Sequence, residues 1–119
     1  MAEDVQHTVS RGASAESVAA TTLQRAGYRI VERNYRCNAG ELDIVAYDDA
    51  VLAFVEVRSR ADDSHGNAAE MVDRRKQRRV SRVAACYLED RRPLATHMRF
   101  DVVAITGGDV QLIKDAWRL

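Results

Sequence analysis

The 119-residue chain has one proline, two cysteines and six glycines, and aromatic residues make up only 6% of it. No internal repeat or low-complexity linker interrupts it, so the expectation is a single domain with one modest core. Cys37 and Cys86 are isolated in the chain, with no second cysteine close enough to either for a metal knuckle. Two thiols without a signal-peptide pattern imply a reducing, cytoplasmic setting. His7, His65 and His97 are scattered and make no zinc spacing. No apolar run approaches the roughly 20 residues that cross a bilayer, so no membrane partner is expected. Neither sign of charge is in excess, with 18 basic residues against 18 acidic. Any nucleic-acid surface must therefore come from local asymmetry. The glycines form no phosphate-cradling loop, which speaks against a hydrolase of small phosphates.

What is there centres on Gly40 to Arg60, GELDIVAYDDAVLAFVEVRSR. Glu41–Tyr47 and Val51–Arg58 read as two strands, with Asp48-Asp49 as the turn. Val, Ile, Phe and Leu dominate both, so the hairpin is expected to be mostly buried. Yet it carries Glu41, Asp43, Glu56 and Arg58, and burying an uncompensated charge costs several kcal/mol or shifts its pKa. The assumed turn sets Tyr47 opposite Ala50, Asp43 opposite Phe54 and Glu41 opposite Glu56. The four charged residues then share one face, and Asp43 and Glu56 become diagonal neighbours roughly 7–8 Å apart. Two carboxylates so placed can converge on one hard cation such as Mg²⁺. A Glu56–Arg58 salt bridge accounts for part of the pattern, but leaves Asp43 without a reason.

GELDIVA followed, thirteen residues after Asp43, by Glu-Val-Arg resembles the D…ExK signature of the PD-(D/E)xK nuclease superfamily. The succession continues with Glu16, Ala26-Gly27-Tyr28, Arg33-Asn34-Tyr35-Arg36, Lys76-Gln77-Arg78 and Arg99-Phe100-Asp101-Val102-Val103, after Arg11-Gly12. Together these resemble the YraN-like (UPF0102) family, which is similar to archaeal Holliday-junction resolvases. The likeness spans about residues 10 to 117. It implies a restriction-endonuclease-like core and a Mg²⁺-dependent endonuclease acting on structured or branched DNA. Asp43 and Glu56 would hold one or two Mg²⁺ (or Mn²⁺) ions, with the Val57 backbone carbonyl as a further ligand. Glu16 would orient a water or complete the outer ligand shell. Glu41 and Gln77 are candidates for support of the site. Arg58 stands where the superfamily usually has lysine, and a guanidinium keeps its proton at neutral pH. It can stabilise a phosphorane or leaving group, but it also suits an alternative: a non-catalytic nucleic-acid-binding protein that keeps the nuclease fold. The resemblance is compatible with a homodimer.

The remaining chain supplies the frame. Residues 1–10 lack periodicity and read as a flexible N-terminus, leaving 11–119 as a single nuclease-like domain. Ala15, Ala19, Thr22, Leu23 and Ala26 form the stripe of a helix over Ala13–Ala26 that Gly27 ends. Glu16 borders this stripe. Tyr28–Arg36 reads as a strand whose Arg33, Asn34 and Arg36 either meet phosphate or are solvated edge residues. After a polar loop, Asn67 and Glu70 give a capping-box start to a second helix running to about Asp90. Val80, Val83, Ala84, Tyr87 and Leu88 are its buried stripe. Arg74, Arg75, Lys76, Arg78, Arg79 and Arg82 put six positive charges in nine residues with no acid among them. Such a ridge is either a solvated face or a binding surface for phosphodiester backbones, and the neutrality of the whole chain favours the second. Gln77 lies nearer the apolar stripe, placed to hydrogen-bond in the site or to cap a carbonyl. Two strands, Met98–Ile105 and Val110–Ala116, follow across a Gly107-Gly108-Asp109 turn. Asp101 is expected to pair with Arg99 or another arginine. The order α-β-β-β-α-β-β gives an α/β domain with a mixed central β-sheet flanked by helices.

Overall fold

A computed structural model describes residues 14–64 and 66–118. The segment 1–10, Arg11-Gly12 and His65 lie outside the described residues. The elements are α1 (Ala15–Arg25), β1 (Arg29–Cys37), β2 (Gly40–Asp48), β3 (Val51–Arg60), a 3-10 turn (Ala68–Met71), α2 (Arg74–Arg91), β4 (His97–Thr106) and β5 (Asp109–Trp117). The five strands form one sheet in the order β1-β2-β3-β4-β5. Only β3 and β4 run parallel, because the 3-10 turn and α2 intervene between them; the other neighbours are antiparallel. This is the expected mixed-sheet α/β domain, compatible with a restriction-endonuclease-like core.

Strand alternation divides the core between the two helices. Val18, Ala19 and Leu23 of α1 pack with Ile44, Ala46, Ala53, Val55, Val103 and Ile105. Val80, Val83, Ala84 and Tyr87 of α2 pack with Leu42, Val45, Leu52, Phe54, Val102 and Ala104 on the other face. Fully buried aliphatic side chains of this size each contribute about 1.5–3 kcal/mol. Leu42 and Ile44 are two apart yet join opposite clusters. The break of parity coincides with Asn34, which takes φ 57° between the paired residues Arg33↔Ile44 and Tyr35↔Leu42. The sheet is therefore irregular where Asn34 stands across from Asp43.

Local chemistry sets the helix ends. Ser14 caps α1 through the Ser17 N–H, and Gly27 leaves it at φ 93°. Asn67, expected to start the long helix, caps the 3-10 turn instead; α2 begins only after Asp73, whose carboxylate accepts from the Lys76 N–H. The Asn67–Glu70 pattern is a valid cap signal for one short turn, and Asp73 is the stronger stop and restart. Gly40 has φ 140°, and a Cβ there would lie 3.3 Å from Val83 Cγ2. Glycine thus lets α2 lie close over the β1–β2 turn.

Asp101 lies mid-strand in β4, in register with Val55, and ties β4 to Tyr28 and β5. It is fully buried and accepts from Tyr28 Oη at 2.6 Å, Arg99 Nε at 2.8 Å, Arg99 Nη2 at 2.8 Å and the Asp115 N–H at 2.9 Å. The expected pairing with Arg99 is present. Asp101→Ala should cost about 3–5 kcal/mol by breaking its ion pair with Arg99 and leaving the Tyr28 hydroxyl and the Asp115 N–H without their acceptor, whereas Tyr28→Phe should cost about 1 kcal/mol. Urea denaturation separates the two, and equal costs would show that Asp101 is not the hub.

Candidate functional site

The central turn is Asp49-Ala50, one residue later than Asp48-Asp49, with Asp48 paired to Val51. Asp48 stays in the strand because Arg99 and Lys114 hold its carboxylate at 2.8 and 3.1 Å, while Asp49 takes the left-handed φ of 51° that aspartate tolerates. The corrected register preserves facing parity but brings Asp43 into line with Glu56 rather than diagonal to it. The ladder ends at Ile44↔Val55, one pair short of them. Past that point the Val57 N–H donates to Asp43 Oδ2 at 2.8 Å instead of to a backbone carbonyl of β2.

The acids are therefore close, with Asp43 half-buried and Glu56 buried. Glu56 is 2% exposed. Its Oε2 meets Arg58 Nη2 at 2.9 Å and Lys76 Nζ at 3.2 Å. Burial first, then the charge of Asp43, push the Glu56 carboxyl up to about 7 against the pull of Lys76 and Arg58. Asp43 is raised too, chiefly by burial, while the Val57 N–H and a hydrogen bond with Glu56 oppose the rise. Glu41 adds repulsion on Asp43 and is itself paired with Arg36. Among the described residues, no three His, Cys, Asp or Glu side chains converge to hold a metal. Any ion here would draw on this acidic pair and on backbone oxygen.

Glu16, on α1, is tied to β1. Arg33 Nε and Asn34 Nδ2 hold its Oε1 at 3.1 and 2.8 Å. Asn34 connects it to the irregular point of the sheet across from Asp43. Arg33 and Arg36, considered for phosphate contact, each engage an acid of their own surface, Glu16 and Glu41.

A sequence profile of the uncharacterised protein family UPF0102 matches residues 15–105. The chain is 45% identical over 112 residues to a UPF0102 protein of Syntrophus aciditrophicus, covering 91% of this chain and 88% of that one. It is 48% identical over 95 residues to one from Moorella thermoacetica, covering 80% and 79%. A third, from Clostridium perfringens, is 35% identical over 120 residues and covers 96% and 98%. The chain belongs to the UPF0102 family. Glu16, Asp43, Glu56, Arg58 and the basic run all fall within the matched segment.

The basic helix of this UPF0102 protein is not uniform. Arg74, Arg75, Arg78, Arg79 and Arg82 are exposed, as expected of an outer face. Lys76 departs from it and turns inward to Glu56, with its side chain 22% exposed. The signal was in the spacing: Lys76 precedes Val80, Val83 and Tyr87 by four, seven and eleven residues, all on one helical stripe. Helical geometry puts Arg75, Arg79 and Arg82 on the flank beside Lys76, and Arg74 and Arg78 on the far side. Gln77 Nε2 donates to the Val72 carbonyl at 3.2 Å, so it caps a carbonyl near the start of α2. The fold also brings Cys37 and Cys86 into hydrogen-bond contact, which lowers the first thiol and raises the second. Nothing in their separation along the chain announces this.

A titration follows from the pair. Glu56 and Asp43 bind protons more tightly folded than unfolded, so the folded protein holds more protons between the usual carboxylate range and about pH 7. Stability of the metal-free protein should fall as pH rises through that window. Thermal melting in chelator should show this decline in wild type, and Glu56→Gln should lose most of it. A decline of equal size in the variant would place its source elsewhere.

Proposed function

We propose that this protein is a metal-dependent endonuclease for structured or branched DNA, with Asp43 and Glu56 holding the metal. The observation that carries the reading is the contact of a buried carboxylate, Glu56, with a half-buried one, Asp43, both pushed toward protonation, at the point where the β2–β3 ladder opens. A hard divalent cation such as Mg²⁺ or Mn²⁺ suits this donor set, because one ion relieves both the repulsion and the lost hydration. The N–H and C=O of one strand residue face the same neighbour. Since the Val57 N–H meets Asp43, the Val57 carbonyl is the natural third oxygen. Bound there, a divalent ion supplies Lewis-acid stabilisation to charge developing on a phosphodiester.

The chain's own groups complete the reading. Arg58, fixed on Glu56, offers a stationary positive charge beside the phosphate. Glu16, tied to β1 by Arg33 and Asn34, orients water. The exposed flank of Arg75, Arg79 and Arg82 gives a neutral protein one basic ridge next to the acidic pair, suited to a DNA backbone. The choice of branched DNA rests on the likeness of the motif succession to archaeal Holliday-junction resolvases. A non-catalytic nucleic-acid-binding protein is the second reading. Arg58 and Lys76 favour it, because they already offset Glu56 and let the cluster stand as a structural ion pair.

Purified protein should cleave at least one substrate in a panel of branched, duplex and single-stranded DNA with Mg²⁺ or Mn²⁺. Asp43→Asn should lower that rate by at least roughly a hundredfold, the several kcal/mol that a Lewis-acid ion supplies. Inactivity of the wild type on every substrate with both metals leaves the binding protein as the answer.

The basic ridge is tested separately. Replacing Arg75 and Arg79 with Gln should reduce the slope of log affinity against log salt by about two. The same change at Arg74 and Arg78 should reduce it less. Equal slopes in all three proteins would return α2 to an ordinary solvated face.

A further inference from the structure

Glu56 presents a single oxygen, Oε2, to two cations: Arg58 Nη2 at 2.9 Å and Lys76 Nζ at 3.2 Å. Counted as ionised groups, Asp43 and Glu56 carry two negative charges, and Arg58 and Lys76 two positive. A divalent ion held by the carboxylates would add two positive charges beside these two cations, leaving an excess that the departure of one cation would relieve. The two differ in freedom. Arg58 sits two residues from Glu56 on the same strand, so the β3 backbone fixes its origin beside the acid. Lys76 comes from another element, at the first turn of α2, on a flexible four-carbon stem. It is the one cation of the basic run turned toward the acids. Its neighbours on that flank, Arg75, Arg79 and Arg82, form the ridge along which a phosphate backbone would lie.

We infer that Lys76 is a placeholder cation: it neutralises Glu56 while the metal is absent, and metal entry releases it to contact the phosphate being cleaved. The inference rests on the proposed metal site and adds to it a residue borne by a helix rather than by the strand motif. It differs from a structural ion pair in one consequence. A structural lysine keeps its contact with Glu56 whether or not metal is bound, so on its loss cleavage follows metal affinity in the same direction. A placeholder competes with metal, so its loss strengthens metal binding while cleavage falls.

Mn²⁺ binding to the full chain, followed by electron paramagnetic resonance of free ion, separates these. Lys76→Met keeps the apolar stem along the buried stripe and removes the charge. It should bind Mn²⁺ at least about tenfold more tightly than wild type and cleave at least roughly a hundredfold more slowly. Lys76→Arg, which retains a cation, should bind Mn²⁺ within about threefold of wild type. If circular dichroism finds Lys76→Met unfolded, the same measurement on Lys76→Gln decides. Unchanged or weaker Mn²⁺ binding in the charge-removed variant overturns the placeholder role while leaving the metal site intact. Binding of no Mn²⁺ by wild type or variant overturns the metal site and the placeholder with it.

Discussion

The structure depends on how a dehydrated carboxylate is compensated at Glu56. This side chain points into the α2 face of the sheet, where its even-numbered strand neighbours Leu52 and Phe54 are core residues. A lone charge there would be far too costly to keep. Two cations offset it, and the neighbouring Asp43 works against them. The net result is a carboxyl pushed up to about 7 despite two cations, the kind of perturbation that marks a candidate site.

Asp101 makes the contrast plain within the same sheet. It is buried even more completely, but four donors at 2.6–2.9 Å satisfy it, including a guanidinium fixed at both carboxylate oxygens. Nothing further is needed to hold its charge. Glu56 and Asp43 have cations or an N–H on one side and each other on the second. Removing the ladder partner at Val57 exposes backbone as well as carboxylate at this point. Asp101 and Glu56 lie one register step apart on β4 and β3, yet Asp101 is saturated with donors while the Glu56–Asp43 pair keeps acceptors facing each other.

Much of this was legible in the residues. Period-two alternation and the turn chemistry located all five strands to within a residue or two, because each strand has a face to bury. The shared side of Asp43 and Glu56 survived a wrong turn assignment, since moving the turn by one residue shifts both strands and preserves parity. What fixed the turn was not local. Asp48 belongs to β2 because Arg99 and Lys114, over fifty residues away, hold its carboxylate. The cysteine contact and the Glu16–Asn34 bond were likewise invisible, being consequences of which elements lie against which.

Lys76 shows a different kind of illegibility. Its position on the buried stripe can be read from the spacing to Val80, Val83 and Tyr87, but five arginines around it invite the assumption that every charge of the run is solvated. Identity by neighbourhood fails here because helical position changes by about 100° per residue, so adjacent members of a charge run face different surroundings. The strand motif has the same ambiguity in reverse. Arg58 follows Glu56 by two residues on the same strand and is ion-paired with it. On the placeholder proposal, a cation that would hold a carboxylate in one state and a phosphate in another needs reach, and a long flexible stem on an opposing element would give it. In this fold α2 supplies that element, and Gly40 lets it come close enough over the β1–β2 turn. The glycine that opens the GELD stretch and the lysine of α2 thus serve one geometry from opposite sides.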